Sequence, residues 1–244
     1  MTRGNEIMTI RLDLYYTMRS PYCYLATPTL AQYAKTYDLA IHLKPVFPLA
    51  ISDETFFERV NPLWPAYLLR DTHRIAKRLN IPFHWPRPDP IVQDLKTREI
   101  AAEQPYITRL THFAQIAAER DKGLEYVVSV SALLFDPNVE GWNEGDHLER
   151  AMARVGLDIH EFERIALSEA NRLDAVVRQN RNDQLASGHW GAPLFVHQKE
   201  IFFGRTASPI SSGTWKHKVF RSADAGDARK RKEDPGRGVQ SWRA

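Results

Sequence analysis

The sequence predicts an α/β fold in which one sheet is built from both ends of the chain around an inserted block of helices. Two observations carry this. Residues 9–46 read as strand, helix, strand, and residues 193–203 read as two short strands joined by a tight turn. Between them, residues 52–187 carry apolar side chains at helical rather than strand spacing. A single sheet covered by the inserted helices buries every apolar face with the fewest layers.

In residues 9–16, Ile10, Leu12 and Leu14 alternate with polar neighbours, the period of a strand with one buried face. Ser20-Pro21 then signals a helix start. The hydroxyl sits at the N-cap, and the proline sits at the first helical position, where its missing N–H costs nothing. Leu25, Leu30, Tyr33 and Ala34 mark one face of a helix running to Tyr37. Residues 39–46 form the second strand, ended by Pro45 and Pro48, and a helix between two such strands implies a parallel, right-handed crossover.

An amphipathic helix is expected over 67–79, a proline-broken loop over 81–90, and further helices near 96–121, 123–135, 146–155 and 158–187. After Gly188 the pattern returns to strands at 193–196 and 200–203, with a turn at 197–199 and a closing helix expected beyond. The predicted division is a sheet domain from 9–51 and 188–204, a helical insertion over 52–187, and a basic tail over 205–244.

The net charge of +3 belongs to that tail, where ten Lys/Arg face four Asp/Glu; residues 1–204 carry 23 bases against 26 acids. The mildly acidic body gives no reason to expect a nucleic-acid partner. The tail lacks hydrophobic periodicity and has the composition of a disordered segment. No apolar run approaches the ~20 residues that cross a bilayer, and the first eight residues lack the apolar centre of a secretory signal. No membrane partner is therefore expected, and a cytoplasmic location is the default. A single cysteine, Cys23, excludes an internal disulfide and every multi-cysteine zinc pattern. The histidines show no metal-ligand spacing, and no phosphate-binding glycine loop occurs.

Two turns could carry chemistry. The first is Ser20-Pro21-Tyr22-Cys23. A helix start after a parallel strand concentrates unpaired N–H groups and the positive end of the helix dipole, which favours a bound anion. Ser20 is either an N-cap alone or also a hydroxyl donor to a bound thiolate. Cys23, one turn into the helix, is either a buried spectator or a monothiol. The second turn is Trp190-Gly191-Ala192-Pro193, immediately before a strand. A cis Ala192-Pro193 bond there would leave the Ala192 backbone free to pair with an extended peptide ligand. Asp71 and Arg74, at i and i+3, read as a structural ion pair. The tryptophans and Phe56, Phe57, Phe83 and Trp85 either wall an apolar cleft or pack as ordinary core, and His189 either reaches a substrate or is an ordinary satisfied or exposed histidine.

The segment Asp13-Leu-Tyr-Tyr-Thr-Met-Arg-Ser-Pro-Tyr-Cys-Tyr-Leu-Ala26 resembles the opening of the 2-hydroxychromene-2-carboxylate isomerase and kappa-class glutathione transferase family. That family is a DsbA-like branch of the thioredoxin superfamily. Tyr67-Leu68, Asp71, Arg74, Ala76 and Asn80-Ile81-Pro82 resemble its next block, and 188–196 with 201–204 resemble its cis-proline strand and hairpin. The resemblance covers 9–204 in collinear order.

It implies a thioredoxin-like fold with an all-helical insertion, a glutathione cofactor, a small-molecule substrate and homodimer formation as an option. The implied activity is glutathione-dependent isomerisation of an aromatic or unsaturated acid. A kappa-like glutathione transferase, a DsbA-family thiol oxidoreductase, and a non-catalytic binding protein or inactive remnant stand as alternatives. By the same resemblance Ser20 contacts the cofactor sulfur, Ala192 before Pro193 holds its backbone, and Asn61 completes the site. A lysine expected shortly before Tyr67 is absent, and Trp64 stands near its place. A lone cysteine at the second motif position cannot close an internal disulfide, which disfavours dithiol chemistry.

The resemblance stops after Gly204, where relatives continue with an Asp-Arg pair that holds the glutamyl end of glutathione, then a closing helix. One permitted back-translation of 204–216, with a single C inserted after the first codon, reads Gly-Gln-Asp-Arg-Ile-Ala-Tyr-Leu-Ile-Trp-Asn-Leu-Glu. This restores both the missing pair and an apolar helix, so a frameshift is one explanation of the tail and a native basic tail is the other. Sequencing the coding DNA around Gly204 decides between them. A frameshift predicts codons compatible with that second reading, and incompatible codons overturn it.

Overall fold

The computed structural model describes residues 9–204 except 54, 95, 96 and 98, so the basic tail expected from Arg205 lies outside the described residues. Strand β1 (Ile10–Tyr16) leads through helix α1 (Pro21–Thr36) to strand β2 (Leu39–Pro45). Short helices α2 (Leu49–Ser52) and α3 (Phe56–Arg59) follow, then α4 (Trp64–Leu79), α5 (Pro105–Glu119), α6 (Gly123–Leu134) and α7 (His147–Ala153). Helices α8 (Ile159–Ser168) and α9 (Ala170–Ala186) precede the hairpin of β3 (Leu194–His197) and β4 (Glu200–Phe203). The sheet order is β2-β1-β3-β4, with β1 parallel to β2, β3 antiparallel to β1 and β4 antiparallel to β3. This is the mixed α/β architecture expected, with the sheet drawn from both chain ends.

The alternation read in β1 holds only at its start. Leu14, Tyr15 and Tyr16 are all buried, because the end of the strand is covered on both faces. Tyr16 is satisfied there by a 2.7 Å bond between its hydroxyl and that of Ser131 on α6. Helix α1 tolerates an internal proline because the carbonyl that Pro28 leaves without an amide partner, that of Tyr24, accepts the Thr27 hydroxyl. Helix α4 stops at Asn80, whose left-handed backbone (φ 53°) lets its N–H return to the Ala76 and Lys77 carbonyls. The hairpin turns on Gln198 and Lys199, both at positive φ (48° and 71°), which matches strand twist in a two-residue turn.

Two helix expectations are corrected. Helix α5 begins at Pro105 rather than near residue 96, and the described residues before it form a loop. Gln104 instead holds that loop, its side chain accepting from the Val92 N–H and donating to the Val92 and Ala101 carbonyls. The span 158–187 is two helices broken at Glu169, which caps the end of α8 and begins α9.

One apolar cluster joins Leu12 and Leu14 of the sheet to Phe113, Trp142 and Phe162 of the helical block. No described helix is long and apolar enough to cross a membrane. Helix α6 and β2 approach closely at Gly123, the first residue of α6, where an added Cβ would lie 2.6 Å from Leu43 Cβ. Gly123→Ala is therefore expected to destabilise the fold by about 1–3 kcal/mol through overpacking. A denaturant titration checks this as a lowered midpoint at unchanged slope.

Candidate functional site

The β1–α1 turn places Ser20 as a true N-cap. Its extended backbone (φ −77°, ψ 121°) ends the approach from β1, and its Oγ accepts the Cys23 N–H at a long 3.4 Å. Pro21 occupies the first helical position. The cap bond uses only a lone pair of the Ser20 oxygen, so the hydroxyl hydrogen can turn from the Cys23 side toward a better acceptor.

The Ala192-Pro193 bond is cis. Its turn is held from behind by α9: Gln184 Nε2 donates to the Gly191 carbonyl at 2.8 Å, and Arg181 Nη1 donates to the Trp190 carbonyl at 2.6 Å. The Gly191 N–H donates to His189 Nδ1 at 2.9 Å. Gly191 admits no side chain, since a Cβ would meet the Phe203 ring at 2.4 Å. Pro193 lies one step behind the turn, its carbonyl accepting from the Gly204 N–H at 2.9 Å. Among the described residues nothing bonds the Ala192 N–H or carbonyl.

Ser20 and Ala192 line the same cavity, of about 790 Å³, a volume within the range of small-molecule sites. Its apolar side includes Phe56, Trp64, Tyr67 and Phe203. Its charged side is dominated by arginine: Arg19, Arg74, Arg78 and Arg181 line it, with Asp71 as the acid. Arg19 is neutralised by Asp89 through both Nε and Nη2 (3.2 and 2.8 Å). Arg74 and Arg78 have no ion-pair partner among the described residues. The balance favours an anionic guest.

The Asp71–Arg74 pair expected from spacing does not form. Asp71 instead accepts the Tyr22 hydroxyl at 2.7 Å, tying α4 to the first turn of α1. Burial and the neighbouring Asp71 push the Tyr22 hydroxyl well above its ordinary pKa, so it stays protonated.

Cys23 is 0% exposed. Burial pushes its thiol up to about 12, against smaller opposing effects of the Thr17 N–H and the Ser20 hydroxyl. Helix-start placement alone would have lowered it; desolvation wins because the sulfur lies inside the core.

The remaining expected residues separate. Asn61 is exposed and stays outside the cavity wall, with its side chain accepting the Leu63 N–H at 2.9 Å and its carbonyl the Trp64 N–H. Trp64, near the place of the missing lysine, does line the cavity. Phe83 stacks with Tyr24 and Phe135 and meets Trp85 edge-on, away from the cavity. His189 is stacked on Phe203 at 4.0 Å, and burial lowers its pKa. Its acceptor role toward Gly191 makes it a structural group. Arg181 and Gln184 were not anticipated from the sequence.

The DSBA-like thioredoxin domain model matches residues 11–209, and the chain belongs to that family. Among solved structures, a 2-hydroxychromene-2-carboxylate isomerase aligns at TM-score 0.65 and 18% identity, covering 88% of this chain and 99% of its own. The cytosolic disulfide reductase DsbM from Pseudomonas aeruginosa aligns at TM-score 0.53 and 18% identity, covering 87% of this chain and 99% of its own. A second structure of that reductase contains GSH. At these identities the likeness is one of fold. No curated protein matches by sequence.

The buried thiol yields a direct check. In the native protein at neutral pH, Cys23 is expected to resist an aromatic disulfide reagent that titrates one thiol per chain after denaturation. Rapid native labelling would show that the sulfur is accessible and ionised.

Proposed function

We propose that this chain is a glutathione-dependent isomerase of the 2-hydroxychromene-2-carboxylate isomerase type, acting on an aromatic or unsaturated acid. The observation that carries the reading is a single cavity lined by Ser20 at a helix start and by the Ala192 turn, in a chain whose one thiol is sealed in the core. A thiol-dependent reaction at this cavity needs a thiol from outside. The residues present fit glutathione: a hydroxyl at the sulfur position, a main-chain edge at Ala192 able to pair with a peptide, and arginines for carboxylates.

Bound glutathione supplies a sulfur nucleophile that adds reversibly to a conjugated carbon and is not consumed. The Ser20 hydroxyl turns from the Cys23 side to donate to that sulfur, and the first-turn N–H groups of α1 add to the positive field around it. The Ala192 N–H and carbonyl hold the cofactor's main chain, which fixes the sulfur relative to Ser20. Arg74 and Arg78 attract the substrate acid, while Phe56, Trp64 and Tyr67 offer flat apolar surfaces to its unsaturated body. Tyr22, locked to Asp71, keeps α1 and α4 at a fixed separation across the cavity.

The single cysteine argues against the oxidoreductase alternative, because Cys23 has no second thiol to pair with and is protonated at neutral pH. Isomerisation requires only catalytic glutathione, whereas a transferase consumes it stoichiometrically, and an inactive remnant shows no saturable glutathione binding. Turnover counted against glutathione separates the three.

Ser20→Ala is expected to raise the pKa of bound glutathione by about one to two units, the loss of one hydrogen bond to a charged group. The ultraviolet absorbance of the thiolate, followed against pH, measures it. An unchanged titration removes Ser20 from the mechanism.

A further inference from the structure

Helix α9 turns three polar side chains toward the strand ends that frame the cavity. Two direct their bonds to partners inside the protein. Asn180 Nδ2 donates to the Pro45 carbonyl at 3.0 Å and to Gln115 Oε1 at 3.1 Å. Gln184, 0% exposed, donates to the Gly191 carbonyl and accepts from Arg181 at 2.7 Å.

Arg181 is different. Both of its bonds, to Gln184 Oε1 and to the Trp190 carbonyl, leave from Nη1 alone. Nε and Nη2 make none among the described residues. These two atoms form the side-on fork that matches a carboxylate. Arg19, on the same cavity, shows the fork in use, holding both oxygens of Asp89 through Nε and Nη2. Of the acids near Arg181, Asp183 lies 3.6 Å from Lys44 Nζ, and Asp53 is paired with Arg59, its charge also felt at Arg181 without an ion pair between them. The side chain is half-buried and lines the cavity together with Ala192. A partly desolvated guanidinium stays charged at neutral pH, so an open fork facing a cavity calls for an anion.

We infer that Arg181 is a specificity-determining residue: its Nε–Nη2 fork anchors a carboxylate of the peptide cofactor whose main chain lies along Ala192. Gln184 is the positioning residue, holding the guanidinium by one end of its amide and the Ala192 turn by the other. This inference rests on the glutathione reading of the cavity and adds to it the group that selects the cofactor's charged end.

Calorimetric titration of the intact protein with glutathione and with glutathione dimethyl ester, at neutral pH, tests it. The unmodified protein prefers glutathione over the diester. Arg181→Gln is expected to cut that preference about tenfold; loss of its bond to the Trp190 carbonyl weakens both ligands by a common factor that cancels in the ratio. Arg181→Lys keeps the charge without the fork, cuts the preference by a smaller factor, and carries the test if the glutamine variant does not fold. Gln184→Ala loosens the turn and keeps the charge, so it weakens both ligands together. An Arg181→Gln protein with the full preference, or with equal losses for both ligands, overturns the anchor, the second result leaving Arg181 a structural prop. An unmodified protein that binds neither ligand overturns the glutathione reading itself, and the anchor with it.

Discussion

Strand β1 is the element on which the site depends, because it is hydrogen-bonded on both edges with opposite senses. Its parallel bond to β2 means that the chain must leave its end, cross over and return, so its last residues feed directly into the start of α1. Its antiparallel bond to β3 pairs Tyr15 with Leu194. Continuing that register past the strand ends brings Ala192 beside Thr17, three residues before Ser20. The end of one central strand and the beginning of the other, from distant parts of the chain, thus meet at one end of the sheet. The burial of Leu14, Tyr15 and Tyr16 fixes this meeting, since a one-residue slip would exchange every side chain between faces.

The pairing alone leaves the turn before β3 with exposed carbonyls, and α9 resolves that problem. Asn180, Arg181 and Gln184 are close enough in sequence to share one helix face, and between them they engage Pro45, Trp190 and Gly191. The same helix therefore ties the end of β2 to the approach of β3. A backbone turn satisfied in this way cannot drift toward the core, so the Ala192 amide and carbonyl stay at the cavity surface. The close fit of Gly191 under Phe203 fixes the turn from its other side.

Much of this was legible in the sequence because the signals were local. The Ser20-Pro21 helix start, the Ala192-Pro193 turn and the hairpin all depend on residues adjacent in sequence, and the structure places each where the pattern put it. What escaped depends on contacts between distant residues. Asp71 and Arg74 have the spacing of an ion pair, yet Tyr22 from α1 reaches Asp71 and changes its partner. Arg181 and Gln184 bond to carbonyls nine and seven residues along, across the end of a helix, and no periodicity records such a bond. The break at Glu169 was invisible because apolar spacing runs on from α8 to α9 with no glycine or proline between them. Asn61 was named from resemblance, and the local Asn61–Leu63 turn uses its side chain to start α4 instead.

The fate of Cys23 shows how placement within one turn of helix decides chemistry. Ser20 and Cys23 lie three residues apart and share the same positive helix end, so the dipole alone would activate either position. Ser20 faces the cavity, while Cys23 faces a core in which an ionised sulfur would lose its hydration without gaining a cation. Desolvation outweighs the dipole and the two opposing hydrogen bonds, and the thiol stays neutral. The protein therefore presents the electrostatics of a thiolate site with a hydroxyl where the thiol would stand. A hydroxyl there cannot be oxidised or exchanged, but it can donate to a sulfur that arrives with a ligand. On the proposed reading the fold supplies the field and the guest the nucleophile, a division suited to addition and elimination at carbon rather than to dithiol exchange.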